Sequence, residues 1–359
     1  MAEKVSVPGF RVLHSRAAPP DISVVVLNWN RGDLLRSCLE SLERQRGVHF
    51  EVIVVDNGSR DGSAEMVEEE FVRPRRLPLR LIRNGVNRGF CAANNQGIAA
   101  ARGAFVAVLN NDAEAHPEWL SALRGAFDGR PQVGMAAAKI VSHDDPRRID
   151  KVGHLIYPDG QNLGRGTGEP DDGRYDRPEE VLWADGCAAM YRRAMLDEIG
   201  GFDEDFFAYG DDAELGLRSR IAGWKCWYEP SAVVRHRRGT TLGIGSARRI
   251  ELIERNRVLL AAKLFPWSLL WLNGFYYVAR LAAGVRAALA GRGDAARFAG
   301  FRGKLALAAA LARGDWQALL LLPKMLAKRR ETKRFRRLTA REVRRLILEN
   351  RPPLRACVE

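Results

Sequence analysis

The chain is poor in the residues that would cross-link it. Its cysteines are Cys38, Cys91, Cys187, Cys226 and Cys357, an odd number with no CxxC pair. That argues against a disulfide framework and a cysteine zinc site, and fits a reducing compartment. Long hydrophobic runs are also missing. The longest uncharged apolar stretch, Leu264 to Ala279 (LFPWSLLWLNGFYYVA), is 16 residues long and is broken early by Pro266. A bilayer span needs about 20. The opening segment, MAEKVSVPGFRVLHSR, lacks the apolar core of a secretory signal. No repeat of fixed period occurs. Neither a GxxxxGK[ST] loop nor a GxGxxG fingerprint follows any strand-like run, which disfavours ATPase and dinucleotide folds.

What is there reads as globular: 359 residues, 46% apolar, 8% aromatic and 28% charged. The length suggests about two domains. The net charge of +13 is unevenly spread. Arg248 to Glu359 holds 25 Lys and Arg against 8 Asp and Glu, whereas residues 1–247 hold 32 against 36. A mildly acidic body therefore carries a basic tail, a distribution that suits a polyanionic partner or an anionic membrane.

After a tail over residues 1–20, strand and helix alternate. Ile22–Leu27, Glu51–Val55, Leu79–Ile82 and Ala104–Leu109 are β-branched or apolar runs, as expected of strands buried on both faces. Helical spacing follows in Asp33–Gln45, near Ala64–Phe71, in Ala92–Ala101 and in Pro117–Phe127. This predicts a parallel sheet covered on both sides. Between Asp144 and Glu180, Gly, Asp and Pro crowd the sequence and predict hairpins and loops. A second compact stretch runs from Asp185 to His236, and beyond Ser246 the chain becomes helical and basic.

Ligands of open parallel sheets gather at the carboxyl ends of the strands. The residues there are Asn28-Trp29-Asn30, Asp56-Asn57-Gly58-Ser59, Asn87-Arg88-Gly89-Phe90 and Asn110-Asn111-Asp112. Any one cluster is adequately explained as turn and capping residues. Four on one edge suggest nucleotide-diphosphate binding, in which a carboxylate such as Asp56 accepts from a base N–H and one such as Asp112 holds a hard divalent cation.

VVVLNWN, VVDNGSRDGS, NRGFCAANNQGIAAA and VLNNDAE, in that order, resemble family 2 glycosyltransferases of the GT-A fold, nearest to a rhamnosyltransferase-like branch that builds bacterial surface polysaccharide. The likeness continues through GCAAMYRRAMLDEIGGFDEDFFAYGDDAELGLRSRIAGWK and AVVRHRRG, and covers residues 21–245. It implies a nucleotide-diphospho-sugar transferase fold: a Rossmann-like, mainly parallel sheet as catalytic domain over 21–245, with a basic helical region over 246–359.

Carried onto this sequence, the resemblance makes Asp56 the reader of the nucleobase and sets Asn28, Asn30, Asn87, Gly89 and Asn111 along the donor. Asn110-Asn111-Asp112 falls on an Asp-x-Asp metal motif whose first Asp is here Asn, leaving Asp112 as the firm ligand, with His236 completing the site for Mg²⁺ or Mn²⁺. Gly210-Asp211-Asp212-Ala213-Glu214-Leu215 falls on a Gly-Glu-Asp-x-Asp-Leu motif, which puts Asp212 on the general base and makes Asp211 and Glu214 its companions. The chemistry agrees: inverting transfer needs one base for the acceptor hydroxyl and a cation for the leaving diphosphate. Asp185 and Trp183 are candidates for the acceptor side. Arg218 and Arg220 read as helix-surface charges.

The expected reaction moves a sugar, rhamnose by resemblance, from a dTDP- or UDP-linked donor to a glycan or lipid-linked acceptor. The rival readings are an inactive carbohydrate- or membrane-binding scaffold and another nucleotide-dependent transferase. The aromatic, basic tail predicts attachment to the inner face of the cell membrane from the cytoplasm; docking on the catalytic domain or a homodimer is the alternative. Nucleic acid is disfavoured by the acidic body.

Overall fold

The computed structural model describes residues 19–239, 243, 246–293, 298 and 300–357. All but the last two residues of the expected N-terminal tail lie outside these. Strands β1 (Ile22–Asn28), β2 (Phe50–Asp56), β3 (Leu79–Arg83) and β4 (Phe105–Asn110) alternate with helices α1 (Gly32–Glu43), α2 (Ser63–Val67) and α3 (Phe90–Ala100). Next come β5 (Ala113–Ala115), α4 (Trp119–Gly125) and a ten-residue strand, β6 (Val133–Ser142). The segment read as hairpins and loops holds four short strands: β7 (Ile149–Lys151), β8 (His154–Ile156), β9 (Asn162–Gly164) and β10 (Glu179–Val181). β11 (Ala188–Arg192), α5 (Arg193–Ile199), α6 (Asp211–Ile221) and β12 (Lys225–His236) complete the sheet-bearing part.

Ten strands form one sheet with the main order β10-β12-β6-β11-β4-β1-β2-β3; β5 joins at β12 and β7 at β6. β3, β2, β1 and β4 are parallel, and β11 runs antiparallel between β4 and β6. Alternate residues of β1 serve opposite faces: Val24 and Val26 join the core with α1 and α4, and Val25 joins the core with α3 and α6. That is why the central strands have no polar side. Gly97 of α3 faces Val25, where a side chain would overlap the valine, so the helix lies close on the sheet. The register sets Asn28 beside Asp56 and Leu27 beside Asn110. Three of the polar clusters thus share one edge.

Four long helices follow: α7 (Ala247–Leu264), α8 (Trp267–Leu289), α9 (Gly300–Glu331) and α10 (Ala340–Glu349). The boundary expected at residue 246 does not separate two cores. Leu259, Leu260, Ala261 and Leu264 of α7 are buried in the same cluster as Val25 and Val108 of the sheet. Lys263 is buried between Asp203 and Glu214, 2.6 Å from each. Arg257 and Arg280 flank Glu254 and Asp159 in a buried ionic network. Gly314 of α9 meets the backbone of α7 at Glu251 and Arg255, where any side chain would collide.

α8 and α9 also have an open side. Trp267, Trp271, Phe275, Val278, Val285 and Leu289 are all exposed, and their spacing puts them on one face of α8. Phe301, Leu305, Trp316 and Leu320 do the same on α9. Among the described residues, one helix, Gly300–Arg334, is long and apolar enough to cross a membrane by length and composition; 17% of its most apolar window is buried.

Candidate active site

A cavity of about 1630 Å³ opens at the carboxyl edge of the sheet. Its lining includes Asn57, Asn87, Gly89, Asn111, Asp112 and His236, together with Lys151, His154, Asp185, Asp211 and Asp212.

The expected donor residues are tied together by amide hydrogen bonds. Asn111 donates to Asn28 Oδ1 (2.7 Å), and Asn28 donates to Asp56 Oδ1 (3.1 Å). Asp56 Oδ2 accepts from the Ser59 backbone N–H (3.1 Å). Asn57 donates to Asn87 Oδ1 (2.8 Å) and accepts from the backbone N–H of Arg88 (3.0 Å), fixing the turn that leads to Gly89. Of the expected donor residues, Asn87, Gly89 and Asn111 line the cavity. Asn28 and Asp56 are buried behind them, and Asn30, with φ 52°, accepts from the Arg60 N–H outside the lining.

Asp112 and His236 meet with Oδ1 and Nε2 3.4 Å apart. His236 arrives on β12, which pairs with β5 directly after Asp112. Its Nδ1 lies 2.6 Å from the Asp150 carboxylate, which fixes the ring so that Nε2 points at Asp112, the arrangement of an oriented metal-binding histidine. Burial opposes charging of this imidazole, but Cys187, Asp112 and Asp150 together raise its pKa well above the usual histidine range. A carboxylate and an oriented imidazole form a donor set that suits Mg²⁺ or Mn²⁺.

A second cluster lines the same cavity. His154 Nε2 is 2.7 Å from Asp185 Oδ2 and 3.2 Å from Asp212 Oδ2, and ligand atoms of the three lie within 4.8 Å of one another, close enough for a metal ion. Lys151 Nζ, however, already sits 2.5 Å from Asp185 Oδ2. Burial works against His154's charge, yet Asp212 and Asp185 lift its pKa to about 9. Two cations of the chain itself, Lys151 and His154, thus neutralise these carboxylates. Burial and the adjacent Asp212 carboxylate push Asp211 upward, so Asp211 is held toward its neutral form and is the poorer base.

Two expected site residues stand elsewhere. Glu214 is wholly buried and turned from the cavity; it pairs with Arg218 (2.7 Å) and Lys263, so it locks α6 to α7. Trp183 is a core residue, stacked on His154 at 5.9 Å and packed against Gly216, where even a Cβ would overlap its ring. Arg218, read as a surface charge, is buried and donates to the Gly201 carbonyl (2.6 Å). Arg220 pairs with Glu180 (2.5 Å). Lys151, His154, Phe207 and Asn256 line the cavity without having been singled out in the sequence. An amide ladder on one sheet edge, a carboxylate–histidine pair and an acidic helix start share one cleft.

Comparison with known proteins agrees. Residues 23–200 match the model of Glycosyl transferase family 2. An N-acetylglucosaminyl-diphospho-decaprenol L-rhamnosyltransferase of Mycobacterium tuberculosis is 28% identical over 262 residues, covering 67% of this chain and 84% of that protein. The O-antigen biosynthesis protein RfbC of Myxococcus xanthus is 30% identical over 222 residues, 60% of this chain but only 17% of that much longer protein. The solved structure of GalNAc-T7 with UDP, GalNAc and Mn²⁺ shares the fold with a TM-score of 0.58 at 16% identity, over 73% of this chain and 50% of that one. Residues 23–200 thus form a domain of the glycosyl transferase family 2 type.

Proposed function

We propose that the protein is an inverting, divalent-cation-dependent glycosyltransferase. It passes a sugar, rhamnose by likeness to the M. tuberculosis rhamnosyltransferase, from a dTDP- or UDP-linked donor to a lipid-linked glycan at a membrane surface. One observation carries this reading. The cavity holding the Asp112–His236 pair and Asp212 continues along an apolar wall of α8 and α9, formed by Leu281, Val285, Leu289, Leu307 and Leu311.

Asp212 sits at the first turn of α6, its Oδ1 accepting from the Ala213 N–H at 2.7 Å. As the acceptor oxygen bonds to the anomeric carbon, its proton passes to this carboxylate, while the bond from that carbon to the diphosphate oxygen breaks and the diphosphate leaves with the electron pair. Asp112 and His236 would hold the cation, which when bound neutralises the leaving diphosphate. The apolar wall would take the lipid of the acceptor. The exposed aromatic stripe of α8 would rest in the headgroup region of an anionic leaflet, drawn there by the basic excess of residues 248–359.

The test is a thermal-shift panel of dTDP- and UDP-sugars with and without Mg²⁺ or Mn²⁺. A metal-dependent shift for one donor, abolished by Asp112→Ala in a folded protein, is the expected result. Unchanged metal dependence in that variant would remove the cation from Asp112. No shift with any donor would favour an inactive scaffold.

A further inference from the structure

The loop between α5 and α6 is strained at two neighbouring places. Phe207 has φ 63° and ψ −61°, and Tyr209 has φ 67°. Neither is glycine, and side chains rarely adopt that region. The strain is held from outside the loop. Asn256 of α7, 1% exposed, places its amide nitrogen within reach of three carbonyls of this loop, those of Phe206 (2.9 Å), Ala208 (2.9 Å) and Tyr209 (2.6 Å). Arg255 orients that amide by donating to Asn256 Oδ1 (2.9 Å), and reaches the Phe206 carbonyl itself (2.8 Å). From the other side, the Phe207 carbonyl accepts the free N–H groups of Phe90 (2.7 Å) and Cys91 (3.2 Å) at the start of α3.

All this holds one ring in place. Phe207 is 38% exposed and lines the cavity, whereas its neighbour Phe206 is fully buried. The ring lies over Gly89, where a side chain would overlap it. Gly89 lines the cavity, and four residues after Phe207 the chain enters Asp211-Asp212. A hydrophobic side chain that lines the cavity half-exposed, on strained backbone pinned from both sides, is the kind of feature that concentrates at functional sites.

We propose that Phe207 is a stacking platform for the C–H face of a pyranose ring, and that Asn256 and Arg255 are positioning residues that hold it there from α7. This rests on the glycosyltransferase reading above and adds a sugar-binding residue to it. The sugar is that of the donor or that of the acceptor, and the test separates the two. It also gives α7 a part in the cleft beyond its part in the core.

The experiment uses the full chain with Phe207→Leu, Phe207→Tyr, Phe207→Gly and Asn256→Ala. The readouts are melting temperature, affinity for the bare nucleoside diphosphate, and KM and kcat for the sugar nucleotide and for an N-acetylglucosaminyl-diphospho-prenol acceptor. Phe207→Leu is expected to raise one of the two KM values about tenfold, the donor's or the acceptor's, while nucleoside diphosphate affinity and melting temperature hold. Phe207→Tyr, which keeps the ring, should recover most of that loss. Phe207→Gly should lose sugar affinity yet melt at or above the wild-type temperature, because glycine relieves the strain. Asn256→Ala should reproduce the KM effect with an intact Phe207. If Phe207→Leu leaves both KM values at wild type, or if Phe207→Gly lowers the melting temperature in step with activity, the ring is a packing residue and the proposal fails. A wild-type chain that binds nucleoside diphosphate but transfers no sugar would overturn the glycosyltransferase reading and the platform with it.

Discussion

Helices α7 and α8 are consecutive, of similar length, and both rich in Leu, Ala and Arg, yet they meet opposite surroundings. α7 buries charged residues: Glu251, Glu254, Arg255, Arg257 and Lys263 all lie inside, each with a partner. α8 exposes apolar ones and buries only Leu269 and Arg280. α7 adds buried charges to its buried leucines, whereas α8 inverts the usual rule, and for one reason. α7 is the joint between the sheet-bearing part and the helices, and its polar groups are satisfied across that joint. α8 is the outer surface, and its apolar face is left for something outside the chain. A stripe of this size on a protein surface marks an interaction site.

The strongest way to break the comparison is Lys263→Ala. It removes the cation shared by Asp203 and Glu214, leaving each with one partner, Lys328 for Asp203 and Arg218 for Glu214, and breaking a buried pair typically costs about 3–5 kcal/mol. Urea unfolding should show a loss of that order. A loss under about 1 kcal/mol would mean that α7 is not the joint described.

Trp271→Glu with Phe275→Glu sharpens the other half. Both side chains are exposed, so stability should change by less than about 0.5 kcal/mol. Co-sedimentation with anionic vesicles should fall at least tenfold, and wild-type binding should weaken with salt without vanishing. Equal recovery of wild type and variant would return α8 to the dimer reading.

Between these lies His154, buried like the charges of α7 but in the cleft. Its pKa rises on folding to about 9. Its contribution to stability is therefore complete below about pH 6.5, the ordinary histidine value, and is lost as pH rises through about 9. Thermal melts from pH 6 to 10 should show that decline, and His154→Gln should flatten it. The smallest effect belongs to α10, which is capped by Thr339 and Glu342 in a reciprocal box. Thr339→Ala should cost about 1 kcal/mol, with vesicle binding unaffected.

The contrast between α7 and α8 also marks the limit of what the sequence discloses. β1, β2 and β4 were legible because burial on both faces leaves only apolar residues to use. The polar edge was legible because Asn, Asp and Gly clustered after each of those strands. β6 was not: its run VGMAAAKIVS is alanine-rich and contains Lys139, whose charge is met by Asp171 (2.8 Å) and Asp176 (2.6 Å) from a distant loop. Lys151 and His154 were hidden in a segment without periodicity, and only the pairing of β7 with β6 carries Lys151 to the lining of the cleft. Trp183 and Glu214 stand in the motif stretch, but their surroundings are set by Gly216 and by Lys263, and no local pattern reveals such partners. For α7 the helical, basic character was legible, but the burial of its charges depends on partners as far as 98 positions away, such as Asp159 for Arg257.

The central claim is that the acidic start of α6 supplies the base for sugar transfer in a cleft shared by the sheet and the basic helices. Turnover of Asp212→Asn, measured beside its donor affinity, tests it most directly. The substitution is nearly isosteric and cannot accept the proton, so kcat should fall by at least about a hundredfold while donor affinity stays within a few-fold of wild type. Near-normal turnover would contradict the assignment and move the base to Asp211 or Asp185; collapse of donor binding instead would make Asp212 a cation ligand.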